Sequence, residues 1–182
     1  MSDVGQRLIE LARDIRVLKS RLDFLDTLPK AAGSEIVTAV PAARVYHDAD
    51  QTLANNTETT ITFNSEKSDN DGIHDPSTNP ERLTCKTAGW YFIWGNLQFA
   101  ASSTGDRQSI IYLNGTTISI GYDSRRARAI GPTHGIVSTS YNLAVDDYVI
   151  LRASQNSGGN LAITANNEHS PVFEMIWLGT DS

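Results

Sequence analysis

The stretch Arg82–Ala101, RLTCKTAGWYFIWGNLQFAA, decides the fold. Taken as a strand after Gly89, its side chains alternate between two faces. Trp90, Phe92 and Trp94 fall on one face; Tyr91, Ile93, Leu97 and Phe99 fall on the other. An antiparallel strand with one wet side is apolar on one face only. Here both faces are apolar, so both need cover. A second sheet of the same chain covers one, and a neighbouring subunit is the expected cover for the other. The segment Val172–Leu178 repeats the pattern, with Phe173, Met175 and Trp177 facing one way and Val172, Ile176 and Leu178 the other. The candidate core and subunit-interface residues are therefore Trp90, Tyr91, Phe92, Trp94, Phe99, Phe173, Met175 and Trp177.

Short strands with turn signals surround these two. The expected strands lie near Arg44–His47, Thr59–Phe63, Arg82–Cys85, Gly89–Ala101, Arg107–Leu113, Thr116–Tyr122, Thr133–Leu143, Tyr148–Ser154, Leu161–Ala165 and Val172–Leu178. Asn114-Gly115, Asp146-Asp147, Gly158-Gly159 and Asn166-Asn167 supply turns, and Asn114-Gly115 is the strongest hairpin signal. In its second arm Ile118, Ile120 and Tyr122 are expected on one face, Ser119 and Gly121 on the other. About ten strands with no helical pattern after residue 30 imply an all-β sandwich or jelly roll.

The N-terminus has a different character. Val4, Leu8, Leu11, Ile15, Leu18, Leu22 and Leu25 form an a/d heptad seam. Asp14 can pair with Lys19 of a neighbouring helix, and Arg21 with Asp26. Ser2 or Asp3 offers an N-cap and Pro29 a stop. The alternative is an amphipathic helix lying on its own domain, but a stripe of two positions in seven is narrow for that role. Residues 1–29 are thus expected to be a coiled-coil stalk or anchor, 30–42 a small-residue linker, and 43–182 the β domain. Ile9, Val17 and Phe24 lie off the seam; they could dock the helix on another protein, the alternative being scattered surface apolars.

Composition bounds the function. With 40% hydrophobic residues, 20% charged residues and a formal net charge of −6, the chain lacks the basic surface that general nucleic-acid binding needs. No apolar run approaches the roughly 20 residues of a membrane-spanning helix, and no signal peptide is recognisable. Cys85 is the single cysteine, so no intrachain disulfide forms; its place in a strand suggests a buried small hydrophobe rather than a reactive thiol.

Four ordered segments resemble the compact jelly rolls of the complement globular-head and tumour-necrosis-factor superfamily. AGWYFIWGNLQF (88–99) is similar to that family's Gly followed by alternating aromatics, and IYLNGTTI (111–118) to its strand–Asn-Gly–strand hairpin. YNLAVDDYVILRA (141–153) resembles its leucine–turn–Gly-Asp–strand element, with Asp146 where Gly is usual. SPVFEMIWLG (170–179) resembles its closing strand. The resemblance spans about residues 43–179 and implies a homotrimer. A narrower resemblance, carried by VYHDADQTLANNTETTITFNSE (45–66), DGIHDPSTNPERLTCKTAGWY (71–91) and LRASQNSGG (151–159), is to appendage domains of tailed bacteriophages. It implies a virion protein made in the bacterial host cytoplasm: a head fibre, capsid decoration or tail-fibre component that attaches to the host. Its partners would be its own copies, capsid or tail proteins through the N-terminal helix, and a host cell-surface glycan. The contrasting reading is a secreted or surface bacterial trimeric binding module, lectin-like.

Few residues suggest chemistry. Asp69, Asp71, His74 and Asp75 crowd the loop SDNDGIHDPSTNP (68–80), where oxygen donors around Gly72 could hold Ca²⁺. The spacing is not that of an EF-hand, and ordinary turns use the same residues. His47, His74, His134 and His169 fall in separate segments without metal-ligand spacing. Glu66 and Asp69 could be imagined as glycosidase carboxylates, but nothing fixes their separation. No nucleophile elbow or phosphate loop is present, so neither a cofactor nor enzymatic activity is expected. Arg125, Arg126 and Arg128 in YDSRRARAIG (122–131) form a basic patch on an expected loop, a candidate grip on an anionic polymer; the alternative is a solvated loop balanced by Asp123.

Overall fold

The double-faced strand of the sequence lies in the middle of a seven-stranded sheet. The computed structural model describes residues 7, 13–16, 18, 19, 39–167 and 169–180. They belong to two compact units, Met1–Thr38 and Ala39–Ser182. In the first, the described residues are helical, and the two seam residues among them, Ile15 and Leu18, are 57% and 62% exposed in the single chain. Val4, Leu8, Leu11, Leu22 and Leu25 lie outside the described residues, as do the expected caps, the Arg21–Asp26 pair and linker residues 30–38. Among the described residues no helix is long and apolar enough to cross a membrane.

The second unit is all β. Its strands are β1 (Ala42–Tyr46), β2 (Gln51–Leu53), β3 (Thr59–Thr60), β4 (Ser65–Asp69), β5 (Arg82–Thr84) and β6 (Gly89–Phe99). They continue with β7 (Asp106–Leu113), β8 (Ile118–Arg126), β9 (Thr133–Leu143), β10 (Tyr148–Gln155), β11 (Leu161–Ile163) and β12 (Val172–Gly179). One sheet runs β2-β11-β6-β12-β1-β4 with β9 also on β6; the other runs β3-β10-β7-β8 with β5 on β10. β9 pairs with β6 along its whole length, from Gly89↔Leu143 to Phe99↔Thr133. The opposite edge of β6 takes β12, from Trp90 to Asn96.

Packing follows the alternation. Tyr91, Ile93, Leu97 and Phe99 are fully buried and meet Ile111, Val149, Leu151 and Ala153 of the other sheet in one core. Phe173 and Met175 of β12 join them, with Phe173 stacked on Phe63 at 5.8 Å. The sheets approach closely at Gly95, where a Cβ would stand 2.6 Å from the Leu151 side chain. Tyr91 donates its hydroxyl to the Thr87 carbonyl at 2.6 Å, and burial pushes its ionisation well above the ordinary phenol range. Cys85 is buried and its thiol is pushed up by the same desolvation.

Four differences from the sequence expectation have local causes. Strands β2 and β4 were not anticipated: β2 has three residues, and β4 is the polar run SEKSD at the sheet edge, where there is no alternation to read. Asn114 and Gly115 both have positive φ, but the loop spans four residues, since Leu113 pairs with Ile118. A register shift between Ile111 and Tyr112 leaves Ile120 without a cross-strand partner. Ile118 and Tyr122 therefore do not share a face, because a bulge resets the alternation. Finally, β8 runs on through Arg125 and Arg126, so these two arginines stand on a strand paired to β7 and not on a loop. Asp146, in the place where the resemblance has Gly, adopts φ +71°, a conformation Asp tolerates better than most residues.

Two substitutions test this packing. Ile93→Ala should cost about 2–5 kcal/mol of unfolding free energy in urea titration. Gly89 has φ +145°, and a Cβ there would lie 2.4 Å from the Gly179 carbonyl oxygen. Gly89→Ala should thus be destabilising by about 1–3 kcal/mol, although it removes no contact.

Candidate interaction surface

The outward side of the seven-stranded sheet is built by register. Trp94 stands opposite Glu174 on β12 and Ser138 on β9, and Glu174 opposite Arg44 on β1. These side chains form one cluster. Arg44 Nη1 donates to Glu174 Oε2 at 2.9 Å, the indole N–H of Trp94 donates to the same oxygen, and the Arg44 guanidinium lies 5.1 Å from the Trp94 ring. The carboxylate thus holds the indole and the guanidinium in fixed positions on a half-buried surface.

Beside this polar centre runs an apolar row on β6 and β12, flanked on β9 by Ser138, Ser140 and Asn142. Phe92 pairs with Ile176, and Trp90 and Leu178 stand near the end of the same strands. In the single chain Trp90 is 41% exposed, Phe92 37% and Leu178 59%. The structure therefore divides the sequence's aromatic set. Tyr91, Phe99, Phe173 and Met175 are core; Trp177 packs against the core and donates its N–H to the Ala88 carbonyl. Trp90, Phe92 and Trp94 are the surface. Further exposed apolar side chains are Ile136 of β9, opposite Asn96 on this same side of the sheet, Ile130 in the β8–β9 connection, and Ile118 and Tyr122 on opposite faces of β8. Aromatic and aliphatic surface concentrated this way marks an interaction site.

Sequence separation hid a further feature. His134 of β9 and His169 of the β11–β12 connection bring their rings to 6.5 Å, beside Asn96, whose side-chain amide donates to the His169 carbonyl. Burial first, then the charges of His169 and Arg128, hold the His134 imidazolium below its ordinary pKa. Nothing in the linear spacing, 35 residues apart in sequence, could have joined them.

The remaining candidate residues are placed as follows. Arg125 Nε donates to Asp123 Oδ2 at 2.8 Å, and Arg126 lies 3.6 Å from Asp106. The Arg128 backbone N–H donates to Thr133 Oγ1. In the acidic loop, Asp69 accepts from the backbone N–H groups of Asp71, Ile73 and His74. Asp75 accepts from those of Ser77 and Thr78, which lower its pKa. Asp71 accepts from the Thr87 hydroxyl, and His74 Nδ1 meets Glu66 at 2.9 Å. These carboxylates are occupied in ordering the loop, and among the described residues no three His, Cys, Asp or Glu side chains converge on a metal position.

The histidine pair gives a pH dependence of definite sign. Because folded His134 binds its proton more weakly than the free imidazole, the unfolded chain takes up that proton first as pH falls. Its contribution to stability is thus present at neutral pH and lost as pH drops below the unfolded value of about 6.5. The thermal midpoint should fall between about pH 7 and about pH 5. His134→Gln should recover part of that fall, as read by scanning calorimetry.

No family model matches the chain. A 90-residue stretch is 32% identical to an uncharacterised protein of Acanthamoeba polyphaga mimivirus; the match spans 47% of this chain and 38% of that protein. Among solved structures, murine APRIL aligns over 77% of this chain and all of its own, with TM-score 0.59 and 8% identity. Eiger TNF from S. frugiperda aligns over 79% of this chain and 95% of its own, at 0.58 and 9%. The globular domain of zebrafish complement 1qA protein aligns over 79% of this chain and all of its own, at 0.53 and 17%. The β unit therefore has the jelly-roll fold shared by tumour-necrosis-factor and complement globular-head domains.

Proposed function

We propose that this chain is a structural virion protein of a tailed bacteriophage: a homotrimeric head fibre, capsid decoration or tail appendage that attaches the particle to its host. The observation that carries the assembly part is the aromatic outer face of β6 and β12, which is partly exposed among the described residues. Ile136 of β9 extends this face, and Ile130, Ile118 and Tyr122 are exposed apolar side chains elsewhere on the β8–β9 edge. Two unlike patches that meet generate a head-to-tail contact, and such contacts close into rings when the rotation permits. Three is the ring size that the superfamily resemblance implies.

Magnitudes decide how the trimer must be held. Finishing the burial of Trp90 and Phe92 contributes about 1 kcal/mol each, less than the cost of association. The face therefore works together with the β8–β9 edge and with the heptad seam of residues 4–25. The viral relative supports a virion role, and the segments 45–66, 71–91 and 151–159 support the tailed-phage form. Assembly and adhesion, rather than catalysis, are the proposed work. Three copies on one particle multiply weak contacts into avidity, and Arg125, Arg126 and Arg128 are the candidate contacts for an anionic surface polymer.

Immunogold electron microscopy of phage particles tests the location. Label on the capsid identifies a fibre or decoration, label at the tail end identifies an appendage, and particles without label contradict the virion reading. The interface is tested by Phe92→Glu, which should keep the far-ultraviolet dichroism of the sandwich while abolishing trimeric bands after short-span amine cross-linking. Leu18→Asp should weaken the helical association in hydrogen exchange; helices protected as in the parent would contradict the seam.

A further inference from the structure

On the outward side of the second sheet, β7 and β10 form the floor of a cleft of about 310 Å³ lined almost wholly by hydrogen-bonding side chains. Gln108 and Ser154 are register partners on this floor, and Ser154 Oγ donates to Gln108 Oε1 at 2.7 Å. Asn156 Oδ1 accepts the backbone N–H of Asp106. Since that N–H can only donate, the amide orientation of Asn156 is fixed and its NH₂ is left for another partner. Gly105 packs tightly on the same side chain, a Cβ there standing 2.2 Å from Asn156 Oδ1. Asn56, held at φ +55° with its backbone N–H on the Gln155 carbonyl, brings a third amide to the wall. The NH₂ groups of Gln108 and Asn156 and the side-chain amide of Asn56 have no hydrogen-bond partner among the described residues.

Two carboxylates complete the lining, and their charges are already met. Glu58 is paired with Arg152, whose guanidinium also donates to the Glu58 carbonyl at 2.9 Å and to Thr60 Oγ1 at 3.2 Å. Asp106 has Arg126 at 3.6 Å. Paired carboxylates offer acceptor oxygens without the uncompensated charge that would draw a metal cation, and among the described residues no cationic side chain lines the cleft to draw an anion. Polar walls of this kind do not select an apolar ligand. What remains is a neutral molecule presenting several adjacent groups that both donate and accept. Vicinal hydroxyls do this, and the cleft is sized for one sugar ring.

We propose that this cleft is a binding site for a neutral saccharide, with Gln108, Asn156 and Asn56 donating to ring hydroxyls and Asp106 and Glu58 accepting from them. The site stands on its own chemistry and does not depend on the virion reading or on trimer formation. It adjoins the Arg125–Arg128 contact suggested for anionic polymers at the Arg126–Asp106 pair, but Arg125 and Arg128 are not part of its lining.

Saturation-transfer NMR on the full chain tests it, with glucose, galactose, mannose and N-acetylglucosamine each at about 5 mM, matched to the weak affinity of an open polar cleft. Transfer to at least one sugar is expected. Gln108→Ala and Asn56→Ala should each weaken it about tenfold, equivalent to about 1.4 kcal/mol. Gln108→Glu keeps the size and the acceptor for Ser154 but removes the NH₂, so it should lose transfer while remaining folded; it decides the matter if the alanine variant unfolds. Arg125→Ala with Arg128→Ala should bind as the parent does. No transfer to any of the four sugars overturns the proposal. So does transfer unchanged in Gln108→Glu, or lost only in the arginine variant.

Discussion

A strand that is apolar on both faces cannot be satisfied by one sandwich. In β6 the inward row, Tyr91, Ile93, Leu97 and Phe99, is spent on the core. The outward row, Trp90, Phe92 and Trp94, is left on the surface with the Arg44–Glu174 pair in its midst. β12 is built on the same plan, Phe173 and Met175 inward and Ile176 and Leu178 outward. Two adjacent strands with this property place their surplus apolar surface side by side, which turns scattered exposure into a patch. The Glu174 carboxylate then matters more than its modest surface ion pair would suggest. It receives both the Trp94 indole and the Arg44 guanidinium, and so sets the shape that any partner surface must match.

The two sheets divide the labour. One presents apolar surface suited to covering by a second copy. The other presents amides, hydroxyls and paired charges: the Glu58–Arg152–Tyr112 cluster, the Arg82–Tyr148 stack at 4.1 Å and the cleft beside Gln108. Covering the outer face of the first sheet would leave the outer face of β3, β10 and β7 to solvent and ligands. Repetition of weak sites on one assembly is the physical route to firm attachment.

Much of the fold was legible because it is written in period-two patterns and in turn residues that tolerate positive φ. β6 and the closing strand β12 were readable from alternation, and β9 from the turn signals around it. β4 was not, since SEKSD carries no apolar face. The ends of β8 were misplaced because arginines and a bulge disguise a paired edge strand. Arg107 is the sharpest case: it is fully buried, donating to the carbonyls of Ser102, Thr104 and Asp106 and so holding the loop before β7. Charge in a sequence reads as exposure, and only the local carbonyls reveal otherwise. The aromatic surface was visible in advance; the His134–His169 pair and the amide cleft were not, because each joins side chains from distant segments.

The measurement that bears most directly on this account is sedimentation equilibrium on the intact chain at micromolar concentration. We expect a mass of three copies of the 19.9 kDa chain, because the outer face of β6 and β12 demands a partner that a second copy can supply. A mass of one chain, persisting as concentration is raised, would mean that the aromatic face stays in water and would contradict the assembly on which the proposed function rests.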